Sequence, residues 1–170
     1  MPDLKKIRVR EAKPRDIGLF KKLWREFLIE QQQMGSVVVG DSDRNLEIFT
    51  NIFRMYVDPD VPEDAKYDGI VLFISEVAVM MAGDPGTNIE MSIAHKPANV
   101  WGLYVVPDQR GKALGLKLYQ DGFKRLKEMG FDLVMGEVVD GNTYSIATLD
   151  KAAGHALRIP TSPYYAKLTE

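Results

Sequence analysis

The chain has 170 residues, 45% of them hydrophobic and 9% aromatic, enough to bury the core of one domain and too many for a disordered segment. Its 22 lysines and arginines meet 24 aspartates and glutamates, a formal charge of −2 with no basic stripe, so no nucleic acid is expected as a partner. The absence of cysteine excludes a disulfide framework, a thiolate metal site and a catalytic thiol within the chain, and points to a reducing, cytoplasmic setting.

The start, MPDLKKIRVREAKPRD, has charges throughout and no apolar core, so it reads as neither signal peptide nor anchor, and no segment is apolar enough to engage a membrane. Ile7, Val9 and Glu11-Ala12 read as a short strand, and Pro14 suits the first turn of a helix. Ile17, Phe20, Trp24, Phe27 and Leu28 then recur at helical spacing, and the helix ends in Gln31-Gln32-Gln33-Met34-Gly35. Asp41, Ser42 and Asp43 offer caps to a second helix, whose stripe of Leu46, Phe49, Ile52, Phe53 and Tyr56 stops at Asp58-Pro59. Residues 58–68 read as a loop.

The period then becomes that of strands. Ile70 to Ile74 and Val77 to Met81 are apolar except at Ser75-Glu76, and Gly83-Asp84-Pro85-Gly86 is a turn signal. Ile89 to His95 is expected to pair back as a hairpin, and Val100 to Val106 to follow as a third consecutive strand after a turn at Lys96-Pro97-Ala98-Asn99. Leu116, Tyr119, Phe123, Leu126 and Met129 mark a helix ending at Gly130, and Leu133 to Val139 is a buried strand. Thr143 to Ala153 reads as the last helix, and His155 to Ile159 and Tyr164 to Leu168 as two closing strands. No repeat or linker divides the chain, so residues 1–170 are expected to form a single domain.

The turn between the third strand of the meander and the following helix, in LYVVPDQRGKALG, carries the chemistry. A strand stopping at Pro107 and a helix beginning near Lys112 leave successive backbone N–H groups at the positive end of the helix, where an anion binds. Gly111 and Gly115 would let a pyrophosphate approach the backbone, with Arg110 and Lys112 adding positive charge. Ala113 fits only if its backbone angles stay helical and its methyl group points away. A nucleotide fold of alternating parallel units expects no meander, and the Gly-x-x-x-x-Gly-Lys-Ser/Thr phosphate loop is absent.

With this element order, the sequence resembles the GCN5-related N-acetyltransferases, the GNAT family, most specifically over residues 101–142. That family's Arg/Gln-x-x-Gly-x-Gly/Ala pattern is similar to Arg110-Gly111-Lys112-Ala113-Leu114-Gly115, with Ala113 in place of the first glycine. The resemblance implies an α+β fold: a mixed, mostly antiparallel sheet flanked by helices, in the order β-α-α-β-β-β-α-β-α-β-β. It implies acetyl-CoA as co-substrate and no metal. The pyrophosphate would lie on Arg110 to Leu116, with Leu114 within that turn, and the pantetheine arm along the backbone of Leu103, Tyr104 and Val105, with Asn142 nearby. The expected activity is direct N-acetylation of a small-molecule or peptide amine, and a homodimer is compatible with it.

The acid and base are unmarked. The tyrosine the family places about seven residues after the asparagine would fall on Leu149 or Asp150, and the fourth strand carries no glutamate. Glu90 and Glu137 are the candidate bases, since either could face the gap beside that strand. His95 and His155 are too far apart in sequence for metal spacing; His95 sits beside the turn at Lys96-Pro97 and His155 begins a strand. Residues 31–40 would suit a flap over the acceptor. The alternative reading is a family member that binds coenzyme A or a protein partner without catalysis.

Overall fold

The structure is a computed structural model that describes residues 8–36, 42–60, 70–84, 96–139 and 142–153. In chain order these form β1 (Arg10–Glu11), α1 (Ile17–Gln33), α2 (Ser42–Val57), β2 (Val71–Ser75), β3 (Ala78–Gly83), β4 (Pro97–Val105), α3 (Leu114–Glu128), β5 (Leu133–Gly136) and α4 (Thr143–Ala153). The strands make one sheet in the order β1-β2-β3-β4-β5, antiparallel except for the parallel pair β4 and β5. This is the mixed sheet flanked by helices that the sequence suggested. The expected strand at Ile89–His95 and the two closing strands lie outside the described residues.

The meander is built differently from the expectation. The apolar run from Ile70 to Met81 is not one strand but a hairpin, with Ser75 opposite Ala78 and only Glu76 and Val77 between them. Lys96-Pro97-Ala98-Asn99 is not a turn either, because β4 begins at Pro97. Proline is tolerated there as the first residue of a strand, where no ladder donor is required of it. The fifth strand ends at Gly136, earlier than Val139, so Glu137 follows the sheet rather than lying in it.

Both faces of the sheet are covered. Leu72, Ile74, Val79 and Met81 pack on one face against Phe20, Leu23, Trp24 and Leu28 of α1 and Leu46 and Phe53 of α2. Val71, Ala78, Met80 and Ala82 alternate onto the other face against Leu114, Leu118, Tyr119 and Leu126 of α3. A strand apolar on both sides shows no inside-outside alternation in sequence, which is why the hairpin was hidden in a continuous run. α1 lies close on β4 because Gly102 has no side chain: a Cβ there would come within 2.8 Å of the Phe27 ring and 2.9 Å of Trp24.

The entry to α1 is fixed by a buried charge. Asp16 accepts hydrogen bonds from Arg10 Nη1 and Nη2 at 2.6 and 2.7 Å and from the Lys13 backbone N–H at 2.8 Å. This joins β1 to the helix start through a bidentate guanidinium–carboxylate pair, the geometry that gives such pairs their strength. The Arg10 guanidinium holds the Asp16 carboxyl below the usual carboxylate range.

Candidate functional site

The parallel ladder between β4 and β5 runs only from Pro97 opposite Leu133 to Val100 opposite Gly136. Beyond Val100, β4 continues for five residues to Val105 with no described strand on that side, so the two strands part like a fork. An irregularity of the β3–β4 ladder falls at the same level: Met81 pairs with Gly102 and Ala82 with Val100, leaving Trp101 as an extra residue. Val106 donates its N–H to the Val77 carbonyl at 3.0 Å. By the alternation of an antiparallel ladder, the main-chain groups of Tyr104 also point to β3, whereas those of Leu103 and Val105 point into the fork.

At the open end of the fork the chain makes the turn that begins α3. Gly111 has φ 75° and Ala113 has φ 61°, and Ala113 is the non-glycine residue at positive φ among those described. The condition set for Ala113, a right-handed helical backbone, is therefore not met: it is left-handed, at the N-cap of α3. Successive amides in a turn that carries left-handed residues can converge into a concavity for an anion. Among the described residues, no backbone carbonyl accepts from the N–H groups of Gly111 through Leu116; the helix ladder starts with Lys117 donating to Ala113. No side chain caps this helix start. The arrangement is a row of open donors at the positive end of a helix.

The cations of the turn do not face that row as simple partners. Arg110 donates from Nε to the Val105 carbonyl at 2.9 Å, pairs through Nη2 with Glu30 of α1, and lies over the Tyr104 ring, 5.6 Å from its centroid. Lys112 donates to the Asp108 carbonyl at 2.9 Å and to Gln109 Oε1 at 3.0 Å. Both side chains fold back onto the protein, so the sequence argument for added positive charge loses weight and the amides carry the site. Gly115 faces inward: a Cβ there would contact Leu103 Cδ2 and Thr148 Cγ2 at 3.5 Å and Val105 Cγ2 at 3.8 Å. The space it leaves is the slot between β4 and α4 rather than the anion concavity.

Leu114 is buried in the core beneath the turn, and Leu116 is half-buried on the first turn of α3. Asn142 caps α4, its Oδ1 accepting from the Ser145 N–H at 3.0 Å. Glu137 is exposed and follows Gly136, the last residue paired before the fork opens. Glu90 lies outside the described residues. Leu149, where a tyrosine was sought, packs against the α3 side of the core.

Sequence reasoning missed a polar group on the opposite face. The Tyr104 hydroxyl donates to Glu26 Oε2 at 3.3 Å, and Glu30 sits one helical turn further along α1 on Arg110. Burial, reinforced by Glu26 and Glu30, pushes the Tyr104 phenol up to about 12, so it stays a neutral donor. Glu26 and Glu30 are four residues apart and face one side of α1. That spacing was visible in the sequence, but their partners on β4 and the turn were not. Among the described residues there is no helix long and apolar enough to cross a membrane and no acidic or histidine group placed to hold a metal.

Residues 77–155 match the profile of the Acetyltransferase (GNAT) family. No curated protein sequence matches the chain. Among solved structures, the chain is similar to the aminoglycoside N-acetyltransferase AAC(6')-Iy in complex with CoA, with a TM-score of 0.66 and 13% identity, covering 99% of each chain. It is also similar to AAC(6')-Ih from Acinetobacter baumannii, with a TM-score of 0.64 and 12% identity over 96% of this chain and 99% of that one. AAC(6')-Ig from Acinetobacter haemolyticus gives a TM-score of 0.62 and 11% identity over 95% of this chain and 99% of that one. At these identities the likeness speaks for the fold, and the profile match covers the fork, the turn and α4. Residues 77–155 thus match the model of the GNAT acetyltransferase family, and the chain takes the fold of the acetyltransferases it is similar to.

Proposed function

We propose that the chain is a single-domain N-acetyltransferase that moves the acetyl group of acetyl-CoA directly onto a primary amine. The observation that carries this reading is the fork between β4 and β5 leading into a turn of open amides, Gly111 to Leu116. The residues fit the coenzyme: the amides suit a pyrophosphate, and the slot that a Cβ on Gly115 would fill suits a slender arm hydrogen-bonded to the inward main chain of Leu103 and Val105. Bound acetyl-CoA would supply an acetyl group already activated as a thioester.

The chain's own residues would do the rest. A fork-facing N–H on β4 can take the charge that develops on the thioester oxygen. The incoming amine must lose a proton, and a carboxylate must accept it directly or through water. Glu26 and Glu30 on α1, Glu137 at the fork and Glu90 are the groups to test. The partly buried acids of α1 would also favour an acceptor that carries positive charge, in line with the aminoglycoside acetyltransferases of similar fold. The second reading, coenzyme binding without catalysis, is favoured by Leu149, an apolar core residue at the place of the sought tyrosine.

The deciding experiment is thiol release from acetyl-CoA with a panel of polyamines, aminoglycosides and peptide amines, from about pH 6 to about pH 9. The expected result is amine-dependent release that rises with pH. Of Glu26→Gln, Glu30→Gln, Glu90→Gln and Glu137→Gln, one should flatten the pH profile and cut the rate about a hundredfold, the effect of losing a general base. Coenzyme binding with no amine-dependent release would favour the second reading.

A further inference from the structure

The first turn of α4 holds a side chain that neither the fold nor the chemistry above has used. Tyr144 is 67% exposed, although the tyrosine on the facing helix, Tyr119, is buried. Its hydroxyl is directed at the turn: a Cβ built on Gly111 would lie 3.6 Å from Tyr144 Oη. One helical turn later, Thr148 Cγ2 lies 3.5 Å from the corresponding position on Gly115. Tyr144 and Thr148 are four residues apart, so one face of α4 runs past both glycines of the turn. That face is held in place from behind. Tyr119 shares a hydrogen bond with Ser145, Asn142 caps the helix, and Thr148 Oγ1 donates to the Tyr144 carbonyl at 2.8 Å.

An anion at this turn meets a shortage of side-chain donors. Arg110 is engaged by Glu30 and the Val105 carbonyl, and Lys112 by the Asp108 carbonyl and Gln109, so both cations are folded back onto protein acceptors. Each charged oxygen of a pyrophosphate accepts more than one hydrogen bond, so a donor from a second side adds to the row of amides. Resting on the coenzyme reading above, we propose that the Tyr144 hydroxyl is a further ligand of the coenzyme pyrophosphate, donating to it from the α4 side while the Gly111–Leu116 amides donate from the α3 side. Glycine at 111 then has two reasons: its left-handed backbone, and the room its missing side chain leaves between the phenol and the anion.

The test is calorimetric titration of the whole chain with CoA and with pantetheine, which lacks the pyrophosphate. Tyr144→Phe should bind CoA about tenfold more weakly than the parent, the size expected for one hydrogen bond to a charged group. Its pantetheine affinity and its melting temperature without ligand should not change, since the hydroxyl is exposed. Tyr144→Leu, which also lacks the hydroxyl, should weaken CoA at least as much. CoA binding by Tyr144→Phe within about twofold of the parent would overturn the proposal. An equal loss for pantetheine would overturn it too, placing the phenol on the arm. A parent that binds neither compound would overturn the coenzyme reading itself and this proposal with it.

Discussion

Ala113 holds a left-handed backbone at φ 61°, which a Cβ makes costly by about 1 kcal/mol or more. The sequence showed that alanine stands where the resembled family places glycine, but not the conformation, since alanine is a good helix former and the next residue opens a helix. Ala113→Gly should relieve the strain, partly offset by the extra freedom glycine gives the unfolded chain, for a net gain of roughly 0.5 kcal/mol without loss of coenzyme binding. A fall in the urea midpoint would contradict the strained geometry. Asp16 is the opposite case, a side chain whose charge is needed. Its carboxyl titrates below its ordinary value because Arg10 hydrogen-bonds it, so the stabilisation is complete above the usual carboxylate pKa of about 4 and disappears as pH falls through the lowered one. Asp16→Asn should cost about 2 kcal/mol at neutral pH and flatten the acid limb of stability against pH; an unchanged acid limb would assign that limb to other carboxylates.

At the scale of elements, α1, α2 and α3 were legible because amphipathic stripes repeat at helical spacing and their ends carried glycine or proline punctuation, and α4 was read over its observed span, Thr143 to Ala153. The β2–β3 hairpin was not legible, because Glu76-Val77 has none of the residues that mark a tight turn and the flanking strands are apolar on both faces. The fork was implied by the family resemblance and by no local pattern, since it depends on β5 stopping at Gly136 while β4 runs on to Val105. The slot between β4 and α4 depends on Gly115, whose added Cβ would meet only ordinary contacts of 3.5–3.8 Å. A Val side chain there should fold but fill the slot. Gly115→Val is therefore expected to keep its unfolding free energy within about 1 kcal/mol of the parent and to lose CoA affinity by at least about tenfold. Titration with CoA beside urea unfolding reads both, and a folded variant that binds as tightly as the parent would contradict the slot.

Across the whole molecule, the turn was readable because its residues are contiguous, and the surrounding site was not because its parts come from distant segments. Arg110 pairs with Glu30 across 80 positions, and Tyr104 with Glu26 across 78, contacts that no local pattern announces. The two faces of the sheet differ: α3, α4 and the fork form the proposed coenzyme surface, while α1 brings acids to the far side of β4, with Arg110 between them. On the proposed function, the fork and its turn hold coenzyme A. The most direct measurement of that claim is the melting temperature of the chain with acetyl-CoA, with CoA and with free adenine. A ligand that binds only the folded state at about a hundred times its Kd adds about 2.7 kcal/mol, which for a chain of this size raises the melting temperature by roughly 5–10 °C. Acetyl-CoA and CoA should each produce a rise of that order and adenine far less, whereas a cooperatively folded chain whose melting curve neither coenzyme moves would contradict the central claim.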